Sequence, residues 1–355
     1  MNWIESKSEL ILKIAVCLTM ISSLVGCSGG SGSSVGGGIK TPSAAKNIYV
    51  IQNSLTFPLT PGSVLQFSAT ASGSISPQNI ITAPAGNDFQ GLATDAEGNL
   101  YVAANSQTTS TLLEYSPGAN GSATPIRSIP SNNTTRMWNP DGLAISPTGQ
   151  VIVGEDNGGV ATYSASANGS VAPDYYILGA AQTGGGLSTL NAAQDVAVGG
   201  AGNLYVFNWQ DIAAAPAIDI FSASATGNVA PTGNLSGPAT TIEGVGGIAT
   251  DSSGNLYVSN NGANGGSILV FAPTASGNVA PIRAITGAST QLNRSVGGIQ
   301  VDAVGNIYVI TAGASGSNPA VLKFAATATG DTAPVLSITS TGWTYPDNYL
   351  SLTAY

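Results

Sequence analysis

GIATDSSGNLYVSNN at 247–261 decides the architecture, because the chain repeats it at a fixed distance. Further copies read GLATDAEGNLYVAAN at 91–105, GLAISPTGQVIVGED at 142–156, DVAVGGAGNLYVFNW at 195–209 and GIQVDAVGNIYVITA at 298–312. A truncated copy, NIYVIQN, begins at Asn47. The Asn or Gln before the second apolar run falls at 99, 150, 203, 255 and 306, a period of 51 to 53. Each copy holds two short runs of strand composition around a turn such as Asp251-Ser252-Ser253-Gly254-Asn255. There an Asp side chain can cap the turn and Gly supplies positive φ.

A second motif alternates with the first: an aromatic, a glycine six residues on and a proline ten residues on. It occurs as Phe67/Gly73/Pro77, Tyr115/Gly121/Pro125, Tyr163/Gly169/Pro173, Phe221/Gly227/Pro231, Phe271/Gly277/Pro281 and Phe324/Gly330/Pro334. The aromatic belongs to a third strand and a fourth follows the proline. Four antiparallel strands repeated around a ring describe a propeller blade. The expected fold is therefore all-β, a six-bladed β-propeller of four-stranded antiparallel blades over residues 46–355.

The ends predict how the ring closes. The first strand, at Asn47, reads as strand two of a blade, and Tyr345-Pro346-Asp347-Asn348-Tyr349-Leu350-Ser351-Leu352 matches the strand-one opening at Asn139–Ile145. Pairing of the N- and C-terminal strands would complete one blade and remove two free edges. The period exceeds that of WD repeats, and the Trp-Asp dipeptide is absent. The Gly-Asn-Leu-Tyr-Val run at 98–102, 202–206 and 254–258 resembles the NHL-repeat class of propellers. That resemblance implies an architecture and says almost nothing about activity.

Composition narrows the function. Apolar residues make up 43% of the 355 and charged residues 8%, which fits a folded chain and not a disordered one. Nine basic against eighteen acidic residues give a net charge of −9, which argues against a nucleic-acid partner. Without histidine there is no imidazole base, shuttle or metal ligand. Two cysteines build neither a disulfide framework nor a four-thiolate zinc site.

Residues 10–26, LILKIAVCLTMISSLVG, form a short apolar stretch with small residues at its end, the pattern of a secretory signal. Leu24-Val25-Gly26-Cys27 resembles the bacterial lipobox, which implies cleavage after residue 26 and acylation of Cys27. The expected organisation is a lipoprotein signal peptide (1–26), a flexible Gly/Ser-rich tether (27–45) and the propeller (46–355). Ser28 stands where an Asp would imply inner-membrane retention, so the expected location is the cell envelope, lipid-anchored, in the outer membrane.

Repeated residues read as structure: Asp95, Asp251 and Asp302 as turn caps, and Tyr101, Tyr205, Tyr257 and Tyr308 as packing between blades. Positions where blades differ are more informative. At the end where strand one begins and strand two finishes, the mouth, the repeat places Gln90, Asp141, Gln194, Asp195 and Asp347, with Asn53, Asn105, Glu155, Asp156, Asn208, Asn260 and Asn261. Trp138, Trp209 and Trp343 fall at the same end. Trp138, Asp141, Asp156, Asp195, Trp209, Trp343 and Asp347 are the expected ligand-binding residues, for a protein, peptide or glycan, with no cofactor and no catalysis. The alternative is a metal-dependent lactonase or esterase, with Ca²⁺ or another hard cation on Asp141, Asp195 and Asp347, and Glu155 or Asp156 as base.

Overall fold

The computed structural model describes residues 44–53, 61–106, 108–156, 158–183, 187–188, 190–200, 202–209, 216–263, 265–292, 295–312, 319–340, 343 and 352–354. The expected signal peptide, and the tether up to residue 43, lie outside them. No helix among the described residues is long and apolar enough to cross a membrane.

The described strands form six sheets around a ring. Blade 2 runs outward through Asp88–Thr94, Leu100–Asn105, Ser110–Tyr115 and Arg127–Pro130, and blade 3 through Pro140–Ile145, Val151–Glu155, Val160–Tyr163 and Tyr175–Ile177. Blade 4 comprises Ala193–Val198, Asn203–Asn208, Ala217–Ser222 and Gly233–Leu235. Blade 5 comprises Val245–Thr250, Leu256–Gly262, Gly265–Phe271 and Arg283–Ile285. Blade 6 comprises Val296–Val301, Ile307–Thr311, Ala320–Phe324 and Leu336–Thr339. Blade 1 takes Asn47–Gln52, Ser63–Ser68 and Asn79–Thr82 from the start of the chain, and its innermost strand, Leu352–Ala354, from the end. The fold is a six-bladed β-propeller of four-stranded antiparallel blades, as the repeats predict.

Ring closure is antiparallel, with Leu352 opposite Val50, Thr353 opposite Tyr49 and Ala354 opposite Ile48. In blade 3 the residue opposite the matching Val153 is Leu143. Leu352 therefore stands where Leu143 stands, three residues away from the register implied by the Asn-Pro-Asp match. Asp347 lies outside the described residues. Ala45, the last residue of the expected tether, is buried, and its N–H donates to Asp302 Oδ2 at 3.1 Å.

The aromatic–glycine–proline motif is the joint between blades. All six aromatics are buried in the interblade core. The glycines have φ between +61° and +84°, and open space surrounds each missing Cβ. They are there for backbone conformation, not for room. That conformation turns each loop against the outer strand of the preceding blade. Gly227 N–H donates to Tyr176 O at 2.7 Å and Gly227 O accepts from Leu178 at 3.0 Å. Gly121, Gly277 and Gly330 repeat the pair, Gly169 donates to Ser128, and Gly73–Ser74 runs parallel to the outer strand of blade 6. Neighbouring polar residues extend the joint: Asn120 accepts from Ile80 N–H, Asn168 from Ser128 and Thr226 from Tyr176.

Gly227→Ala is expected to cost about 1–2 kcal/mol, the usual penalty of left-handed backbone for a residue with a Cβ. Denaturant unfolding measures it. A variant as stable as the parent would show that the joint tolerates another backbone conformation.

The turn aspartates behave as the sequence predicts. Asp251 Oδ1 accepts from the Ser253 and Asn255 N–H groups, and Oδ2 from the Asn255 amide and the Tyr257 hydroxyl, at 2.8–3.0 Å. Asp95 and Asp302 make the same set of bonds. These carboxylates belong to the blade and not to a ligand.

Candidate functional site

Strand register separates what the mouth needs for folding from what it does not. The second strands finish at equivalent positions 53, 105, 156, 209, 261 and 312, where four of the backbone N–H groups bond the linker carbonyl ahead of strand one. At three of them an asparagine ties its blade to the next. Asn53 donates to Phe89 O and accepts from Phe89 N–H, and Asn261 does the same with Val296. Asn105 donates to Pro140 O. The amides expected on an open rim are thus clasps between blades.

Blades 3, 4 and 6 lack the asparagine. Blade 6 holds Ala312 there, whereas blades 3 and 4 hold Asp156 and Trp209, both exposed. Asp156 Oδ2 accepts from the Asn139 amide at 3.1 Å, and the Trp209 ring stands edge-on to Phe207 at 6.2 Å. Trp138, just before Asn139, is also exposed.

The position one residue earlier in strand two holds Glu155, Asn208 and Asn260. Asn208 accepts the Asn191 N–H at 2.9 Å, and Asn260 accepts those of Glu243 and Gly244. Glu155 sits in the same place against the Trp138 backbone, with 0% exposure and no well-formed hydrogen bond to either oxygen, only the weak approach of the Trp138 N–H and the Tyr176 hydroxyl. Burial pushes its carboxyl up to about 8, against the smaller opposing effects of the Trp138 N–H and the Tyr176 hydroxyl. Sealed among Tyr163, Tyr176 and that backbone, Glu155 cannot reach a substrate in the mouth.

The inner strands add two carboxylates. Asp195 falls where the other described inner strands have Gly91, Gly142, Gly247 and Gly298. Close approach explains the glycines: a Cβ on Gly91 would strike the Asp141 carbonyl, and one on Gly142 the Asp195 Cα. Asp195 fits because its side chain crosses to blade 5, where Oδ2 accepts the Ile248 N–H at 2.8 Å beside the bare Cα of Gly247. Burial raises its carboxyl to about 7, opposed by the Ile248 and Val196 N–H groups. Asp141, at the opening of blade 3, is raised well above the ordinary carboxylate range, first by burial and then by Asp156 and Asp195. The structure thus brings Asp156 and Asp195 each within electrostatic reach of Asp141, at the end of blades 3 and 4 that carries Trp138 and Trp209. Among the described residues, no three acidic side chains are placed to hold a metal ion.

Trp343 departs from the expectation. It is 6% exposed and packs edge-on against Phe67, with ring centroids 5.5 Å apart. In blades 3, 4 and 6 the linker ahead of strand one carries Met137, Leu190 and Leu292, each buried in the cluster of its blade's third-strand aromatic. Trp343 is the equivalent plug of blade 1, whereas Trp138 lies one residue beyond the plug and faces solvent.

No family model matches the chain, and no curated protein is similar to it in sequence. Solved structures do match. A Bacteroides caccae protein of unknown function aligns over 87% of this chain and 98% of its own, at 8% identity and a TM-score of 0.56. Raptor from Chaetomium thermophilum aligns over 85% of this chain but only 24% of its own, at 12% identity and a TM-score of 0.50. At these identities the likeness is one of fold alone.

Proposed function

We propose that this chain is an envelope-anchored binding propeller with NHL-type blades, held to the membrane through acylated Cys27. It takes a protein, peptide or glycan at the mouth of blades 3 and 4, without catalysis or cofactor. One observation carries the reading: where blades 1, 2 and 5 have clasp asparagines, these two present Asp156 and Trp209 to solvent, beside exposed Trp138. Ring closure does not require those side chains, and exposed tryptophans are the residue type on which binding energy concentrates.

The test is a screen of the lipid-free domain on peptide and glycan arrays, repeated with Trp138→Ala and Trp209→Ala. Both variants should melt like the parent. Ligands of the parent should lose about 2 kcal/mol or more of binding free energy. Ligands that bind the variants as well as the parent would place the site elsewhere. For the anchor, a fatty-acid label should be incorporated by the full chain and lost in Cys27→Ser.

A further inference from the structure

We propose that the mouth of blades 3 and 4 is a cation site, and that its ligand is a basic peptide presenting an arginine or lysine side chain to Asp141 and Asp156. This deepens the binding reading above and rests on it. Asp141 is 9% exposed and accepts no hydrogen bond from the described residues, an unusual state for a carboxyl so enclosed. Asp156 and Asp195 are the charges that act on it. The ion pair of the described residues, Arg127 with Glu114, lies elsewhere, so no described residue pairs a cation with Asp141, Asp156 or Asp195. A guanidinium or ammonium group supplies both the missing charge and the missing donors. Trp138 and Trp209, exposed at the same end, offer aromatic faces that attract organic cations.

A metal ion fits less well. Asp195 already accepts two backbone N–H groups, from Val196 and Ile248, and no three acidic groups of the described residues converge. The net charge of −9 draws a basic segment toward the protein, and the aspartates fix where it docks.

The test uses a fluorescently labelled tetra-arginine peptide and anisotropy titration of the lipid-free domain. Asp156→Asn and Asp141→Asn should each weaken binding at least tenfold. Glu97→Gln removes an equal charge from an exposed turn at the opposite end and should change it less than twofold. The asparagine variants are near-isosteric, and circular dichroism melts verify that they fold. Equal effects of all three substitutions would reduce the attraction to net charge and overturn the proposal, as would displacement of the peptide by micromolar Ca²⁺. Spermidine serves as second probe. Displacement only at a large excess supports a peptide side chain, whereas tighter binding of spermidine than of the peptide overturns the assignment to a peptide. If array ligands prove neutral, depend on Trp138 and ignore Asp156→Asn, the cation site fails while the binding face stands.

Discussion

Deleting Trp343–Tyr355 is expected to lower the melting temperature sharply and drive the domain into aggregates. The segment does two separate jobs. Leu352–Ala354 covers the inner edge of Asn47–Gln52, whose Ile48 and Val50 are otherwise buried, and an uncovered strand is a template for another chain. Trp343 fills the gap against Phe67. Truncating a buried aromatic alone costs about 3–5 kcal/mol, a large share of the roughly 5–15 kcal/mol that holds a typical domain together. Trp343→Ala should therefore reproduce much of the loss while leaving the strand in place. Trp343→Phe should restore most of it, because the indole N–H is buried without a partner and its removal forfeits no hydrogen bond. Thermal melts with size-exclusion chromatography check both. A truncated domain that stays monomeric and melts with the parent would mean that the ring does not depend on this closure.

Period and motif made the fold legible because each blade must solve the same packing problem. The glycine of the second motif recurs since every blade needs one left-handed residue to reach its neighbour, and Asp251 recurs since every turn needs its N–H groups satisfied. The candidate site was less legible, for the same reason inverted. Asn53 and Asn261 look like ligand groups by type, yet their carbonyls and amides are occupied by the next blade. Asp195 lies hidden in a glycine position, and only strand register shows that it is the exception there. Trp343 and Trp138 both precede an inner strand, yet one is a core plug and the other an exposed ring. Residue type cannot tell them apart; burial and ring contact do.

The same comparison of blades leads to a large pH effect. At the position of Glu155, Asn208 and Asn260 answer a linker N–H with a neutral amide, while Glu155 brings a carboxyl that finds no well-formed hydrogen bond. Its folded-state value, near 8, lies well above the ordinary 4.5. In acid, where folded and unfolded chains both carry the proton, the residue is neutral and harmless. As pH rises past the unfolded value, the unfolded chain ionises first and stability falls by about 1.4 kcal/mol per pH unit. The fall levels off once the folded carboxyl also ionises near pH 8. Glu155→Gln stays neutral throughout. Its advantage over the parent should be close to nil at pH 4 and reach the order of a few kcal/mol at pH 8. Asp195, raised to about 7, and Asp141, raised in the same direction, leave a residual slope of the same sign in the variant. Urea unfolding of both proteins from pH 4 to 9 measures the difference directly. Parallel stability curves would mean that Glu155 is already ionised in the folded chain, held by donors that enter the interface between blades.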